Sequence, residues 1–185
     1  MTRHYMACVD LHGRSALVVG GGRVALEKVR GLVECGARVT VVAPEVDVEL
    51  ETLPVRIVRR PFIAGDVDGH VLVFAATNRR SVNRSVSSAA AASYTLCNVA
   101  DDPELCSFIL PAITRRDPIV VGVSTGGASP ALAQRIRDDV AGLLTPRHVE
   151  LAGRLQALRP WAKRTLATYE ERRAYFAGLV EEGLQ

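Results

Sequence analysis

The chain has no C-x-x-C pair, no apolar run near the roughly 18 residues of a membrane-spanning helix, and few aromatics. Its four cysteines, Cys8, Cys35, Cys97 and Cys106, are dispersed, which argues against a disulfide framework and against a zinc site built on paired thiols. They read as reduced residues in or near a core. Lysine is scarce, and 23 Lys and Arg against 20 Asp and Glu leave a formal net charge of only +3. That charge is too small and too dispersed to call for nucleic acid. Arg3, His4, Asp10 and His12 interrupt the first apolar stretch, making it a poor secretory signal. These absences predict a cytoplasmic protein with no membrane and no nucleic-acid partner. Internal repeats and low-complexity segments are also missing.

What is present is ordinary globular material, 48% hydrophobic over 185 residues, enough for one domain and an appendage with a real core. One turn stands out. Gly20-Gly21-Gly22-Arg23-Val24-Ala25 follows the apolar run Ser15-Ala16-Leu17-Val18-Val19 and opens a helical pattern. In a G-x-G-x-x-A turn the first Gly permits a tight bend, the second lets the backbone approach a pyrophosphate, and the small Ala lets helix pack on strand. The N–H groups at the helix start would hold the anion, helped by the macrodipole. Val24, Ala25, Val29, Leu32 and Val33 recur at helical spacing, Gly36 stops the helix, and a second strand follows over 38–43. A bare glycine-rich turn also occurs without a ligand; here the strand, turn, helix, strand context favours a nucleotide site.

Further strands are predicted at Val55–Arg59, Val71–Ala76 and Thr95–Val99, with a small-residue helix over 81–93. The Val71–Ala76 run is apolar on both faces, as in a central parallel strand covered by helices on each side. Strand and helix alternate, so the fold class is α/β, a Rossmann-like doubly wound parallel sheet. The pattern then changes. Ser107–Ile113 and Pro118–Val123 read as two apolar strands around a polar turn over 114–117, and Ser129-Pro130 starts a helix as N-cap and first residue. In that helix Leu132, Ile136 and Val140 share a face. The tail from Arg147 reads as two helical stretches broken at Pro160. Three regions are therefore expected: a dinucleotide-binding domain over 1–113, a segment of different pattern over 114–146 and a C-terminal helical region over 147–185.

Where the second strand ends, the position that usually carries an acidic ribose partner is Ala43-Pro44, with Glu45 just beyond. No Arg or Lys sits there to receive a 2′-phosphate, and Glu45 would repel one, so NAD is preferred over NADP. Asp101 follows a strand's carboxyl end, the ligand side of an open sheet. It is either a proton acceptor or, with Asp102-Pro103, only the cap of the next turn. Ser124-Thr125-Gly126-Gly127 before a helix has the makings of an anion cradle, or of a simple capped turn. Arg115, Arg116, Arg135 and Arg137 suit carboxylates as bidentate partners, although solvated surface accounts for any one of them. His4, His12, His70 and His148 fall outside every motif, and no His, Cys and carboxylate cluster has metal-ligand spacing.

Together, 20–25, Gly36–Pro44, Ala76-Thr77-Asn78 with Val82-Asn83, Asn98–Pro103, Phe108–Ala112 and Ser124–Ala133 resemble the precorrin-2 dehydrogenase family, siroheme-synthase N-terminal type, over nearly the whole chain. Ala100 and Leu110 depart mildly from the family's usual Val and Phe, and the methyltransferase domain that some members carry is not expected. The resemblance implies NAD-dependent oxidation of precorrin-2, a polycarboxylate tetrapyrrole, to sirohydrochlorin, with Asp101 catalytic and no resident metal. It implies that Gly20, Gly22, Arg23, Val24, Pro44, Glu45 and Thr77 serve the cofactor and that Ser124, Thr125, Gly126 and Gly127 serve the substrate. A homodimer is also implied, with 114–146 as its dimerisation segment. Two alternatives stay open: a bifunctional enzyme that also inserts ferrous iron, and a non-catalytic NAD-sensing module in which Asp101 is idle. The second specific cradle argues against a mere sensor.

Overall fold

The structure is a computed structural model in which residues 4–185 are described. Two units divide the chain, His4–Ile109 and Leu110–Gln185. The expected domain end at residue 113 falls inside a strand of the second unit, Ala112–Arg116.

In the first unit the strands β1 (Ser15–Val19), β2 (Arg38–Val42), β3 (Arg56–Val58), β4 (Leu72–Ala75) and β5 (Leu96–Val99) form one sheet. Its order is β3-β2-β1-β4-β5 and every pairing is parallel. Alternation of side chains across the pleat explains the two-sided apolar runs. Ala16, Val18, Leu72 and Phe74 face a core with Leu26, Val29 and Leu32 of α1 (Arg23–Glu34) and Leu50 of α2 (Val48–Glu51). Leu17, Val19, Val73 and Ala75 face the opposite core, with Val86 and Ala90 of α3 (Arg80–Ala92) and Val67 of a short 3-10 turn, Ala64–Val67. Burying both faces requires such continuous hydrophobic strands. The chain runs outward from β1 to β3, then returns to β4, so the topological switch lies between β1 and β4. In open α/β sheets, ligands bind outside the strand carboxyl ends at that point.

Arg60 braces the segment before β4. It donates to both oxygens of Asp66 at 2.8 and 2.5 Å, and the Ile63 N–H adds a third bond at 3.0 Å. The Arg60 bonds hold the Asp66 carboxyl below its ordinary range, against burial, which raises it. A carboxylate depressed on folding stabilises above its unfolded pKa, and that contribution is lost as pH falls through the folded value. Asp66→Asn is expected to cost about 1–2 kcal/mol at neutral pH, with the gap to wild type narrowing once the pH falls below the ordinary carboxylate range. Urea melts at neutral pH and below that range check this; an equal gap at both would refute it.

The second unit and the residues leading into it depart from the sequence reading in several places. Its strands, β6 (Ala112–Arg116) and β7 (Ile119–Val123), form an antiparallel pair joined at Asp117-Pro118. Thr114, Arg115 and Arg116 are therefore strand residues rather than a turn. Phe108, read as part of that strand, instead packs edge-on against Phe74 in the first unit, with ring centroids 5.6 Å apart. Helix α4 (Pro130–Leu143) starts where Ser129 and Pro130 predict, and Ser129 Oγ accepts the Leu132 N–H at 3.2 Å. Its buried residue is Ala133, however, while Leu132 and Ile136 are exposed. Helix α5 (Pro146–Thr165) runs through Pro160, and the break comes at Leu166–Thr168 before α6 (Tyr169–Leu184). Proline's fixed φ fits a helix at the loss of one hydrogen bond, and packing of Trp161 on Tyr175 of α6, at 5.4 Å, offsets it. The true boundary is a capping box: Thr168 Oγ1 accepts the Glu171 N–H at 3.1 Å, and Glu171 accepts the Thr168 N–H at 3.0 Å.

Candidate active site

The glycine turn leaves β1 at the switch point. Gly20 has φ +122°, where L side chains are strained, and a Cβ there would strike the Ala76 carbonyl beyond β4. A Cβ on Gly21 would strike the main chain of Glu45 and Val46 beyond β2, and the Gly21 carbonyl accepts the Asp47 N–H at 2.7 Å. Close packing of three chain segments therefore requires these two glycines. Gly22 differs. It is the N-cap of α1 with φ −89° and ψ −170°, a conformation open to any residue, and a Cβ there would meet nothing within 4 Å. No packing within the first unit accounts for a glycine at this position. What a free space at a helix N-terminus fits is the approach of a phosphate to backbone N–H groups, so the residues present suit a dinucleotide.

Arg23, Val24, Pro44 and Glu45 are all exposed around this turn. Val24, expected to share the buried stripe of α1, is 41% exposed, because it lies at the helix mouth rather than over the sheet. Thr77 stands on the other side of the switch point, after β4. Its brace was missed in the sequence: Asn83, the one buried polar residue among the described residues, accepts the Thr77 N–H at 3.3 Å and its hydroxyl at 2.7 Å, and donates to its carbonyl at 3.0 Å. A polar residue inside a helix reads as surface; what marks it is the motif that joins Ala76-Thr77-Asn78 with Val82-Asn83.

Asp101 lies on the same sheet edge. The Ala100 N–H donates to the Ala75 carbonyl at 2.9 Å, tying the turn after β5 to the end of β4. Asp101 is exposed, has φ +59°, and makes no side-chain hydrogen bond among the described residues. Asp and Asn tolerate this left-handed region better than other non-glycine residues. Asp102 is occupied: its carboxylate accepts Arg80 Nε at 2.9 Å. Beneath the turn, Cys106 Sγ accepts the Val99 N–H at 3.1 Å and lies 3.4 Å from the Asp102 carbonyl. Burial, with the neighbouring Cys106, pushes the Cys97 thiol up to about 11, so that thiol stays protonated. All four cysteines are free, Cys8 being exposed rather than near a core.

Ser124, Thr125, Gly126 and Gly127 belong to the second unit, before α4. Gly126 and Gly127 have φ +65° and +89°. The loop folds on itself: Thr125 Oγ1 accepts the Ser129 N–H and donates to the Ser129 carbonyl, both at 3.0 Å, and Ser124 Oγ accepts the Gly126 N–H at 3.2 Å. Arg115, Arg135 and Arg137 pair with Asp117, Asp139 and Asp138 of their own unit. Among the described residues, no group of three or more His, Cys, Asp and Glu is placed to hold a metal ion, and no helix is long and apolar enough to cross a membrane.

A parallel sheet with a glycine turn at its switch point and a braced Thr77 opposite defines a Rossmann unit for a nicotinamide dinucleotide. The family model described as "Putative NAD(P)-binding" matches residues 7–112, and the chain belongs to this family. Residues 116–143 match the central segment of sirohaem biosynthesis proteins. Siroheme synthase of Pseudomonas aeruginosa (strain LESB58) is 42% identical over 176 residues, which are 93% of this chain and 38% of that protein. Siroheme synthase of Thioalkalivibrio sulfidiphilus (strain HL-EbGR7) is 42% identical over 92% of this chain and 36% of its own length. The chain thus spans less than half of these relatives. Among solved structures, SirC, a precorrin-2 dehydrogenase, superposes with a TM-score of 0.81 at 27% identity, covering 98% of this chain and 93% of that one.

Proposed function

We propose that the protein is an NAD-dependent precorrin-2 dehydrogenase that makes sirohydrochlorin, acting in the cytoplasm on the siroheme route. The observation that carries this reading is Asp101, an uncommitted carboxylate on the sheet edge that also bears the glycine turn. The near full-length likeness to SirC supports it. Desaturating a tetrapyrrole removes one hydride and one proton. NAD, when bound, accepts the hydride. Asp101 accepts the proton, and its neighbour Asp102, held by Arg80, takes no part in the transfer. Gly20, Gly22, Arg23, Val24 and Thr77 hold the dinucleotide. Pro44 and Glu45 flank the ribose; residues 43–51 contain no Lys or Arg, and Arg30 and Arg59 beside them are paired with Glu49 and Glu51 rather than left for a 2′-phosphate, which supports NAD over NADP. Substrate carboxylates fall to the Ser124–Gly127 loop, whose left-handed glycines leave open space above the main chain, although the Gly126 N–H is already held by Ser124 Oγ. Purified protein given precorrin-2 and NAD anaerobically should generate sirohydrochlorin absorbance together with NADH, faster than with NADP. No turnover with either nucleotide would reject the reading.

The second unit supports a homodimer. A two-stranded sheet is marginal alone and leaves both edges open. Ile113, Val120, Leu132, Ile136 and Leu143 are all exposed on this hairpin and on α4. An isologous pairing of this unit would cover them. Light scattering at micromolar concentration should report twice the 19.9 kDa chain mass; a stable monomer would overturn the assignment.

A further inference from the structure

We propose that Arg80 is a positioning residue for Asp101, acting through the Arg80–Asp102 ion pair; this rests on the reading of Asp101 as proton acceptor. Among the described residues no side-chain bond aims the Asp101 carboxylate, so its direction is set by its main chain. That main chain is held at both neighbours. On one side the Ala100 N–H is fixed to the Ala75 carbonyl at 2.9 Å. On the other, Asp102 is fixed three ways: its carboxylate to Arg80 Nε at 2.9 Å, and its carbonyl to the Leu105 N–H at 3.1 Å and to Cys106 Sγ at 3.4 Å. Between these anchors Asp101 adopts φ +59°, an uncommon conformation that persists where its surroundings impose it.

Two of these anchors come from outside the turn and the residues that follow it: the Ala75 carbonyl at the end of β4 and Arg80 of α3. Arg80 is the first residue of α3, which the Asn83–Thr77 brace fixes at the switch point. The Asp102 side chain is 14% exposed while Arg80 is 69% exposed. Removing Arg80 therefore leaves a largely buried carboxylate without its cation, next to a second carboxylate. Asp102 must then turn to water, and the turn carrying Asp101 moves with it. An exposed Arg side chain contributes little to global stability, so the loss should be local.

The test compares Arg80→Gln, Arg80→Lys, Asp102→Asn, the Arg80→Gln/Asp102→Asn double variant and Asp101→Asn in the full chain with precorrin-2 and NAD. Arg80→Gln and Asp102→Asn should each lower kcat roughly 10- to 10²-fold, the scale of a small misplacement, with KM for both substrates and the melting temperature unmoved. The double variant should be no worse than either single one, and Arg80→Lys, which keeps the charge, should lose less than Arg80→Gln. In the ligand-free protein, Arg80→Gln should lose amide hydrogen-exchange protection over residues 99–106.

A raised precorrin-2 KM at wild-type kcat would make Arg80 a substrate ligand instead and overturn the proposal. So would multiplicative losses in the double variant, or equal losses for Lys and Gln. Should Arg80→Gln unfold, Asp102→Asn probes the same pair. If Asp101→Asn is slow while Arg80→Gln is wild type in rate and exchange, the positioning role alone fails. If Asp101→Asn turns over normally, it is the reading of Asp101 that fails, and the exchange data still report on the brace.

Discussion

Asp101→Asn should leave NAD affinity intact and lower precorrin-2 oxidation by ~10²- to 10⁴-fold, the loss typical of a positioned acid–base group. The substitution is clean for a structural reason. Asp101 has φ +59°, and Asn tolerates that region as well as Asp does, so the backbone is kept while the basicity is removed. No side-chain partner is stranded, because Asp101 has none among the described residues. Asp101→Gly is a useful companion: it relaxes the left-handed strain, should be at least as stable as wild type, and should be as inactive as the Asn variant. Oxidation at the wild-type rate in Asp101→Asn would reduce Asp101 to a turn residue. The same preparations, assayed for ferrous insertion into sirohydrochlorin, separate the dehydrogenase from the bifunctional alternative: wild type should insert metal far more slowly than it oxidises.

The sheet was legible in the sequence because its central strands carry apolar residues on both faces. Ala16 to Val19 and Leu72 to Ala75 are all buried, and a continuous apolar run flanked by helical periodicity has few other interpretations. The second unit was harder because burial there is one-sided and incomplete. In a two-stranded pair much of each strand meets water, so Thr114-Arg115-Arg116 looks the same in a strand as in a turn. The α4 stripe is ambiguous for the same reason: Leu132 and Ile136 share a face and are apolar yet exposed, and a single chain gives no way to tell an internal core from a surface awaiting another copy. Pro160 was overweighted as a helix breaker, while the Thr168 and Glu171 capping box carried the real boundary. In the candidate site, chain order and glycine spacing marked the turn, and a strand end marked Asp101. The Asn83 brace and the Arg80–Asp102 pair were invisible, since each joins residues whose proximity depends on how α3 returns to the sheet edge.

Gly22→Asp separates the structural from the ligand-binding account of the glycine turn. Were the three glycines needed only for packing, all three substitutions should destabilise. The geometry divides them: a Cβ at Gly20 or Gly21 collides with main chain, whereas at Gly22 it meets nothing within 4 Å. Gly22 is also an N-cap with no side-chain cap bond. An Asp there can accept a first-turn N–H, so the ligand-free protein should be unchanged or more stable by a few tenths of a kcal/mol. The same carboxylate occupies the N–H groups that a pyrophosphate needs and sets like charges together. At about 4 Å and an effective dielectric of about 20, that repulsion is about 4 kcal/mol, so NAD should bind roughly 10²- to 10³-fold more weakly. Gly20→Ala should instead lose stability, since both φ +122° and the Ala76 carbonyl oppose it. Calorimetric titration with NAD and NADP, alongside thermal melts, reads both effects. Wild type should favour NAD, and unchanged NAD affinity in a well-folded Gly22→Asp protein would move the dinucleotide away from this turn.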